Sequence, residues 1–193
     1  MSERIQKLRD IRDVRFRGIL ECDEETQERV RNWRNREEIR KYMYNDHIIG
    51  VEEHRHWLER LKQREDLVVW VIYYRNDPVG TINLQKIDPL NKTTEWGFYI
   101  AEESGRGKGV GTMALFRLVE HVFEEMDFHK LNTTVLGNNP GALKLYFKLR
   151  FREEGNLRKQ ILRENQYIDV ILLGMLKEEW MQEKQKIAEE IGL

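Results

Sequence analysis

Residues 104–111 read "SGRGKGVG", four glycines alternating with Arg106, Lys108 and Val110, between the strand-like "TEWGFYI" (residues 94–100) and the apolar "MALFRLVEHVFEEM" (residues 113–126). No regular helix or strand is built on alternate glycines, so the chain must leave a strand here, turn tightly and enter a helix. Residues without side chains let successive backbone N–H groups approach a phosphate, and the helix start adds partial positive charge. The spacing excludes two common phosphate loops. A Walker loop needs a hydroxyl residue after its lysine, but Lys108 is followed by Gly109. A dinucleotide fingerprint started at Gly105 or Gly107 finds Val110 or Thr112 where its third glycine belongs.

The periodicities on either side give an element order of β, αα, βββ, α, β, α, ββ. "VRFRGILEC" (residues 14–22) alternates as a strand, and residues 23–43 open with acids suited to the start of one or two helices. Val51, His54, Trp57, Leu58 and Leu61 recur at helical spacing. The runs "LVVWVIYY", "VGTINLQKI" and "TEWGFYI" follow with short connections, which predicts an antiparallel meander. After the glycine loop come a helix to about Met126, a strand "KLNTTVL", a helix from about Pro140, and strands around "FREEGNLRKQIL" and "QYIDVILLGML". The tail from Lys177 spaces Trp180, Ile187 and Ile191 among charges, as an amphipathic helix covering the core or a second copy of the chain in a homodimer. Three prolines, no linker-like tract and no repeat predict one domain over residues 1–193, with its core about residues 13–175.

Charge decides what such a domain does not attract. The 33 Lys plus Arg nearly cancel the 34 Asp plus Glu, so no global field recruits nucleic acid or an anionic membrane, and any anion site must be local. Cys22 is the only cysteine; it forms no internal disulfide or all-cysteine cage, reads as a packing residue, and fits a reducing, cytoplasmic setting. The charged opening "MSERIQKLRDIRD" lacks the apolar core of a secretory signal, and no window reaches transmembrane length, so a soluble protein is expected. His54 and His56 lie two apart on a helix and point in different directions, so no metal is expected.

Arg106 to Gly111 spell R-x-x-G-x-G, and Asn139, Ala142, Leu145, Tyr146 and Phe151 spell N-x-x-A-x-x-L-Y-x-x-x-x-F. Together these motifs resemble those of the GNAT N-acetyltransferases, with one departure: Arg150 stands where the family prefers glycine. The resemblance implies an α/β (α+β) domain whose mixed, mostly antiparallel sheet is flanked by helices. It also implies direct acetyl transfer from acetyl-CoA to an amine in a ternary complex. The co-substrate would lie in a splay between two parallel strands, against Tyr99, Ile100, Arg106, Gly107, Lys108, Gly109, Val110, Gly111, Thr112, Asn139 and Ala142. Tyr146 would protonate the departing thiolate, which suits a phenol with an ordinary pKa of about 10; an isolated tyrosine at such spacing is otherwise a packed aromatic. Strand alternation puts Glu95 on a face with Gly97 and Tyr99, away from Trp96, Phe98 and Ile100. Glu95 is therefore the candidate base for the amine, directly or through water, although a solvated strand acid fits the position equally well.

The acceptor is read from residues 31–61. Arg31 and Arg34 lie one helical turn apart, before a loop with Tyr42, Asn45, Asp46 and His47. Two guanidiniums beside a histidine suit an anionic handle such as a diphosphate. "RNWRN", "RKYM", "HWLERL" and "EWGFYI" are similar to the subfamily that acetylates the 4-amino group of a UDP-4-amino-4,6-dideoxy sugar in pseudaminic acid synthesis. That similarity implies Arg31, Arg34, His47 and Lys86 facing the UDP. Ribosomal-protein and polyamine acetyltransferases, and a non-catalytic acyl-CoA sensor, are the competing readings.

Overall fold

In the computed structural model, which describes residues 7–193, seven strands form one sheet: β1 (Val14–Gly18), β2 (Leu67–Tyr74), β3 (Asp77–Asp88), β4 (Thr93–Ile100), β5 (Lys130–Leu136), β6 (Arg152–Arg163) and β7 (Gln166–Leu176). Their spatial order is β1-β2-β3-β4-β5-β7-β6. Every neighbouring pair is antiparallel except β4 and β5. Six helices accompany them: α1 (Glu24–Asn35), α2 (Glu37–Arg40), α3 (Val51–Leu61), α4 (Val110–Glu120), α5 (Pro140–Lys148) and α6 (Lys177–Ile191). The N-terminal half of the charged opening, residues 1–6, lies outside the described residues.

The sheet is covered on both faces, which explains why β2 is a continuous apolar run rather than an alternating one. Trp70 and Ile72 pack with Leu115, Phe123 and Trp180 under α4 and α6. Val69 and Val71 face the other way, with Val30, Trp33, Ile39 and Leu61 from α1, α2 and α3. Trp33 is fully buried, and its indole N–H donates to Glu102 at 2.6 Å. Arg36 donates to the same carboxylate at 3.1 Å. Burial works against ionisation of Glu102, but these donors outweigh it and hold its carboxyl below the usual range. The two contacts pin the first helices to the end of β4.

One boundary differs from the sequence reading. β1 stops at Gly18, because Ile19–Glu21 form a 3₁₀ turn that tucks Ile19 into the second core. The helix after the glycine loop runs to Glu125, capped by Met126, but its last turn, His121–Glu125, is a π turn whose Glu125 is bonded by His121 and by Arg117 of α4. Cys22 is buried beside Tyr73, its Sγ 3.6 Å from the phenol oxygen, and burial pushes the thiol pKa up. No helix among the described residues is long and apolar enough to cross a membrane.

The pairing of β4 with β5 positions the site. It covers only Thr93 with Lys130, Thr94 with Leu131 and Glu95 with Asn132. β4 stays bonded to β3 as far as Ile100, while β5 stays bonded to β7. Past Glu95 the two strands part, leaving backbone groups of Trp96–Ile100 and of residues 133–136 without a ladder partner across the gap. At its root the Thr133 hydroxyl donates to the Trp96 carbonyl at 3.0 Å.

Candidate active site

The glycine loop closes one end of this fork. Gly107 and Gly109 have φ of 72° and 77°, left-handed values that cost an ordinary L-residue about 1–2 kcal/mol. Gly109 is the N-cap of α4 and offers no side-chain acceptor, so the first N–H groups of the helix stay open to an anion. A Cβ on Gly111 would come within 3.1 Å of the Phe98 ring, so the loop seats against β4 only without one. Arg106 bends back, its Nε donating to the Ile100 carbonyl at 3.2 Å. Open amides, a cationic side chain and a backbone-lined fork are a donor set that fits the pyrophosphate and pantetheine arm of acetyl-CoA. Lys108 does not join it: its ammonium lies 5.6 Å from the Tyr74 ring centroid and outside the lining.

A cavity of about 1190 Å³ runs from this loop through the fork and beneath α1 to α3. Tyr99, Ile100, Arg106, Gly107, Gly109, Val110, Gly111, Thr112, Asn139 and Ala142 all line it, as does Tyr146. Asn139 has a second duty, since its side chain accepts the Ala142 N–H at 3.1 Å and caps α5, with Pro140 at the first helical position. That cap directs Tyr146 into the fork, where it is 5% exposed. Its ring lies edge-on to Trp96 at 4.8 Å and also meets Phe98 and Phe151. Burial raises the phenol well above its ordinary value, and its hydroxyl has no bond to any described residue, so it stands protonated at the cavity wall. Tyr99, on the opposite face of β4, is pushed up to about 12, chiefly by burial.

The departure at Arg150 is visible in the backbone. Arg150 adopts φ 69°, the conformation a glycine would take without strain. Its guanidinium reaches Glu183 at 3.3 Å and Glu190 at 2.7 Å on α6. The turn keeps its shape, and the side chain ties α5 to the C-terminal helix.

The other arm of the cavity is walled by α1 to α3 and the loop between α2 and α3. Arg31 lines it but is engaged by Glu28 and the Ile49 carbonyl. Arg34 lines it too; it holds the Asn45 carbonyl, keeps Nη1 buried without a partner among the described residues, and has its pKa lowered by burial. Arg40 donates to the Asp46 carbonyl at 2.5 Å, and Arg163 to those of Met43 and Tyr44 at 2.7 and 2.6 Å. Three arginines therefore grip four consecutive carbonyls, residues 43–46. Arg163 sits 120 positions from Met43 in sequence, at the tip of the β6–β7 hairpin, so no local pattern could have pointed to it.

Three expected residues lie elsewhere. His47 is on the loop surface, with Nδ1 on Asn45 at 2.6 Å and Nε2 on Glu53 at 2.7 Å; Glu53 lines the cavity and His47 does not. Lys86 and Glu95 face each other at 2.8 Å, both outside the lining. The cause is a register slip in β3 between Gln85 and Asp88, where Lys86 takes φ 50° and turns across to β4. Residues given no site role from sequence also line the cavity, among them Asn83 on β3 and His54, which packs on the helical stripe, buried and stacked on Trp57. No group of three His, Cys, Asp or Glu able to hold a metal occurs among the described residues.

Residues 14–152 match the family model described as an acetyltransferase (GNAT) domain. An uncharacterized N-acetyltransferase, YokL, from Bacillus subtilis prophage SPbeta is 34% identical over 65% of this chain and 71% of its own. The putative ribosomal N-acetyltransferase YdaF of B. subtilis is 29% identical over 58% of this chain and 61% of its own. Acetyltransferase PseH of Campylobacter jejuni is 26% identical over 72% and 84%. The crystal structure of Vibrio cholerae spermidine N-acetyltransferase, in complex with CoA and spermine, has the same fold: TM-score 0.80 at 20% identity, over 88% of this chain and 98% of that one.

Proposed function

From the premise that the chain belongs to the acetyltransferase (GNAT) domain family and is an N-acetyltransferase drawing on acetyl-CoA, we propose that its acceptor is the 4-amino group of a UDP-linked amino sugar, as in pseudaminic acid synthesis. The observation that carries this reading is the composition of the acceptor arm. Arg31, Arg34, Lys41 and Arg60 line it against only Glu38 and Glu53, and Tyr42, Tyr44 and Trp57 add aromatic surface. A polyamine calls for acidic walls, whereas surplus guanidinium suits a diphosphate and aromatic faces suit a base. The subfamily resemblance of "RNWRN", "RKYM", "HWLERL" and "EWGFYI" supports the same choice.

Bound acetyl-CoA supplies the activated acetyl thioester. The amides of residues 107–112 and Arg106 hold its pyrophosphate at the start of α4, and Asn139 and the free edge of β4 orient the arm that enters the fork. Tyr146 keeps a proton at its phenol oxygen for the sulfur that leaves. The amine must shed a proton to attack; Glu95, held by Lys86 just behind the fork, receives that proton through water.

The test is free-CoA release by purified protein given acetyl-CoA and, separately, a UDP-4-amino sugar, spermidine and a ribosomal N-terminal peptide. Turnover of the sugar is expected, with Arg34→Ala raising its KM. Turnover confined to spermidine or the peptide overturns the sugar reading, and tight CoA binding without any turnover favours a sensor.

A further inference from the structure

Two buried polar atoms in the acceptor arm lack partners among the described residues, Asn83 Oδ1 and His54 Nε2. Both residues line the cavity, Asn83 from the sheet and His54 from the helical layer. Burying such atoms unbonded costs stability, so an orphaned pair in one cavity points to a ligand that completes it.

The positions are chemically specific. Asn83 is paired in register with Gly97, the second β4 residue beyond the last rung shared with β5. Gly97 has no side chain, and the Asn83 amide lies over it, 3.4 Å from where a Cβ would stand. Asn83 therefore borders the mouth of the fork, where an acceptor amine has to arrive. Its Oδ1 only accepts, so it needs an N–H or O–H. His54 is 7% exposed and stacked on Trp57 at 5.3 Å, so its ring is fixed. Of the charges near it, Glu28 raises and Arg31 lowers its pKa, and burial dominates both to keep the imidazole neutral. A neutral ring nitrogen can take or give one hydrogen bond.

We propose that Asn83 and His54 form the hydrogen-bonding subsite for the acceptor's sugar ring, Asn83 Oδ1 accepting from the reacting amine and His54 Nε2 pairing with a ring hydroxyl. This rests on the amino-sugar reading above. A neutral amine retains N–H bonds after deprotonation, and one of them held by Asn83 turns the nitrogen lone pair toward the fork. A sugar also supplies a ring hydroxyl that can pair with His54.

The experiment compares wild type with Asn83→Leu, His54→Phe and His54→Gln, reading KM for the UDP-4-amino sugar, KM for acetyl-CoA, and Tm. Asn83→Leu and His54→Phe should each raise the acceptor KM about 5- to 20-fold, the loss of one hydrogen bond. The acetyl-CoA KM should stay within about twofold, and Tm should hold or rise because an unpartnered buried atom has gone. His54→Gln, which keeps a polar atom near Nε2, should recover part of the loss. Sugar turnover with an unchanged acceptor KM in both apolar variants overturns the subsite and leaves the sugar reading intact. A lowered Tm with acceptor and donor KM values rising together makes the pair structural and also overturns it. If wild type acetylates only another amine, the sugar reading fails; the same variants on that amine then decide whether the pair touches the acceptor, an unchanged KM removing it.

Discussion

Replacing Tyr146 with Phe separates chemistry from stability at the centre of the site. The hydroxyl bonds no described residue, and the ring is held by Trp96, Phe98 and Phe151, contacts a phenyl group keeps. The hydroxyl faces the cavity, where water can reach it, so its removal leaves no buried group newly unbonded. Tyr146→Phe should therefore be close to neutral in stability, a Tm change of less than about 4 °C for a chain of this length. Loss of a positioned general acid costs about 10²- to 10⁴-fold in rate, or about 3–5 kcal/mol on the barrier. Burial raises the phenol pKa, so Tyr146 stays protonated through the working pH range and should not produce an alkaline limb. The assay is steady-state CoA release with acetyl-CoA varied, alongside thermal unfolding. A fall in kcat with little change in acetyl-CoA KM or Tm is expected. Turnover within threefold of wild type would refute the acid role, and a Tm lowered by more than about 4 °C would refute the reading of an unpartnered hydroxyl.

At Arg150, Ala keeps the left-handed strain and loses the Glu183 and Glu190 contacts, whereas Gly loses the contacts and the strain together; Arg150→Gly should unfold about 2–4 °C above Arg150→Ala. Arg163→Ala should raise the acceptor KM several-fold and leave the acetyl-CoA KM unchanged, because it frees the Met43 and Tyr44 carbonyls of the acceptor wall and touches nothing in the donor arm. Asp127 is held by Lys92 and Lys177, which bring its pKa from 3.8 to about 2. A depressed folded-state pKa stabilises above the unfolded value and is lost as pH falls through the folded one. Asp127→Asn should therefore lower Tm at neutral pH, and the gap to wild type should close between about pH 4 and pH 2.

The donor half of the site was legible because its determinants are local. The glycines at 107 and 109 answer a backbone need within one turn, and Asn139 and Pro140 start α5 where their chemistry says a helix starts. β7 was likewise readable from its apolar run, and β5 from the alternation that buries Leu131, Thr133 and Val135 on one face. The acceptor half is assembled from α1, α3, β3 and the distant β6–β7 hairpin. Neither the grip of Arg163 on the loop nor the orphaned Asn83 leaves a periodic trace. The pairing of Lys86 with Glu95 was not legible for a related reason. Alternation gives the face of a residue in a regular strand, but the slip after Gln85 turns Lys86 against its neighbour. His47 carries the right chemistry but spends both ring nitrogens on Asn45 and Glu53.

Direct acetyl transfer requires donor and acceptor to occupy the one cavity together. Initial rates over a grid of acetyl-CoA and UDP-4-amino sugar concentrations test this most directly. Intersecting double-reciprocal lines are predicted, with the sugar recovered as its N-acetyl product. Parallel lines, which signal acetyl parked on the protein, or no sugar-dependent rate at any acetyl-CoA concentration, would contradict it.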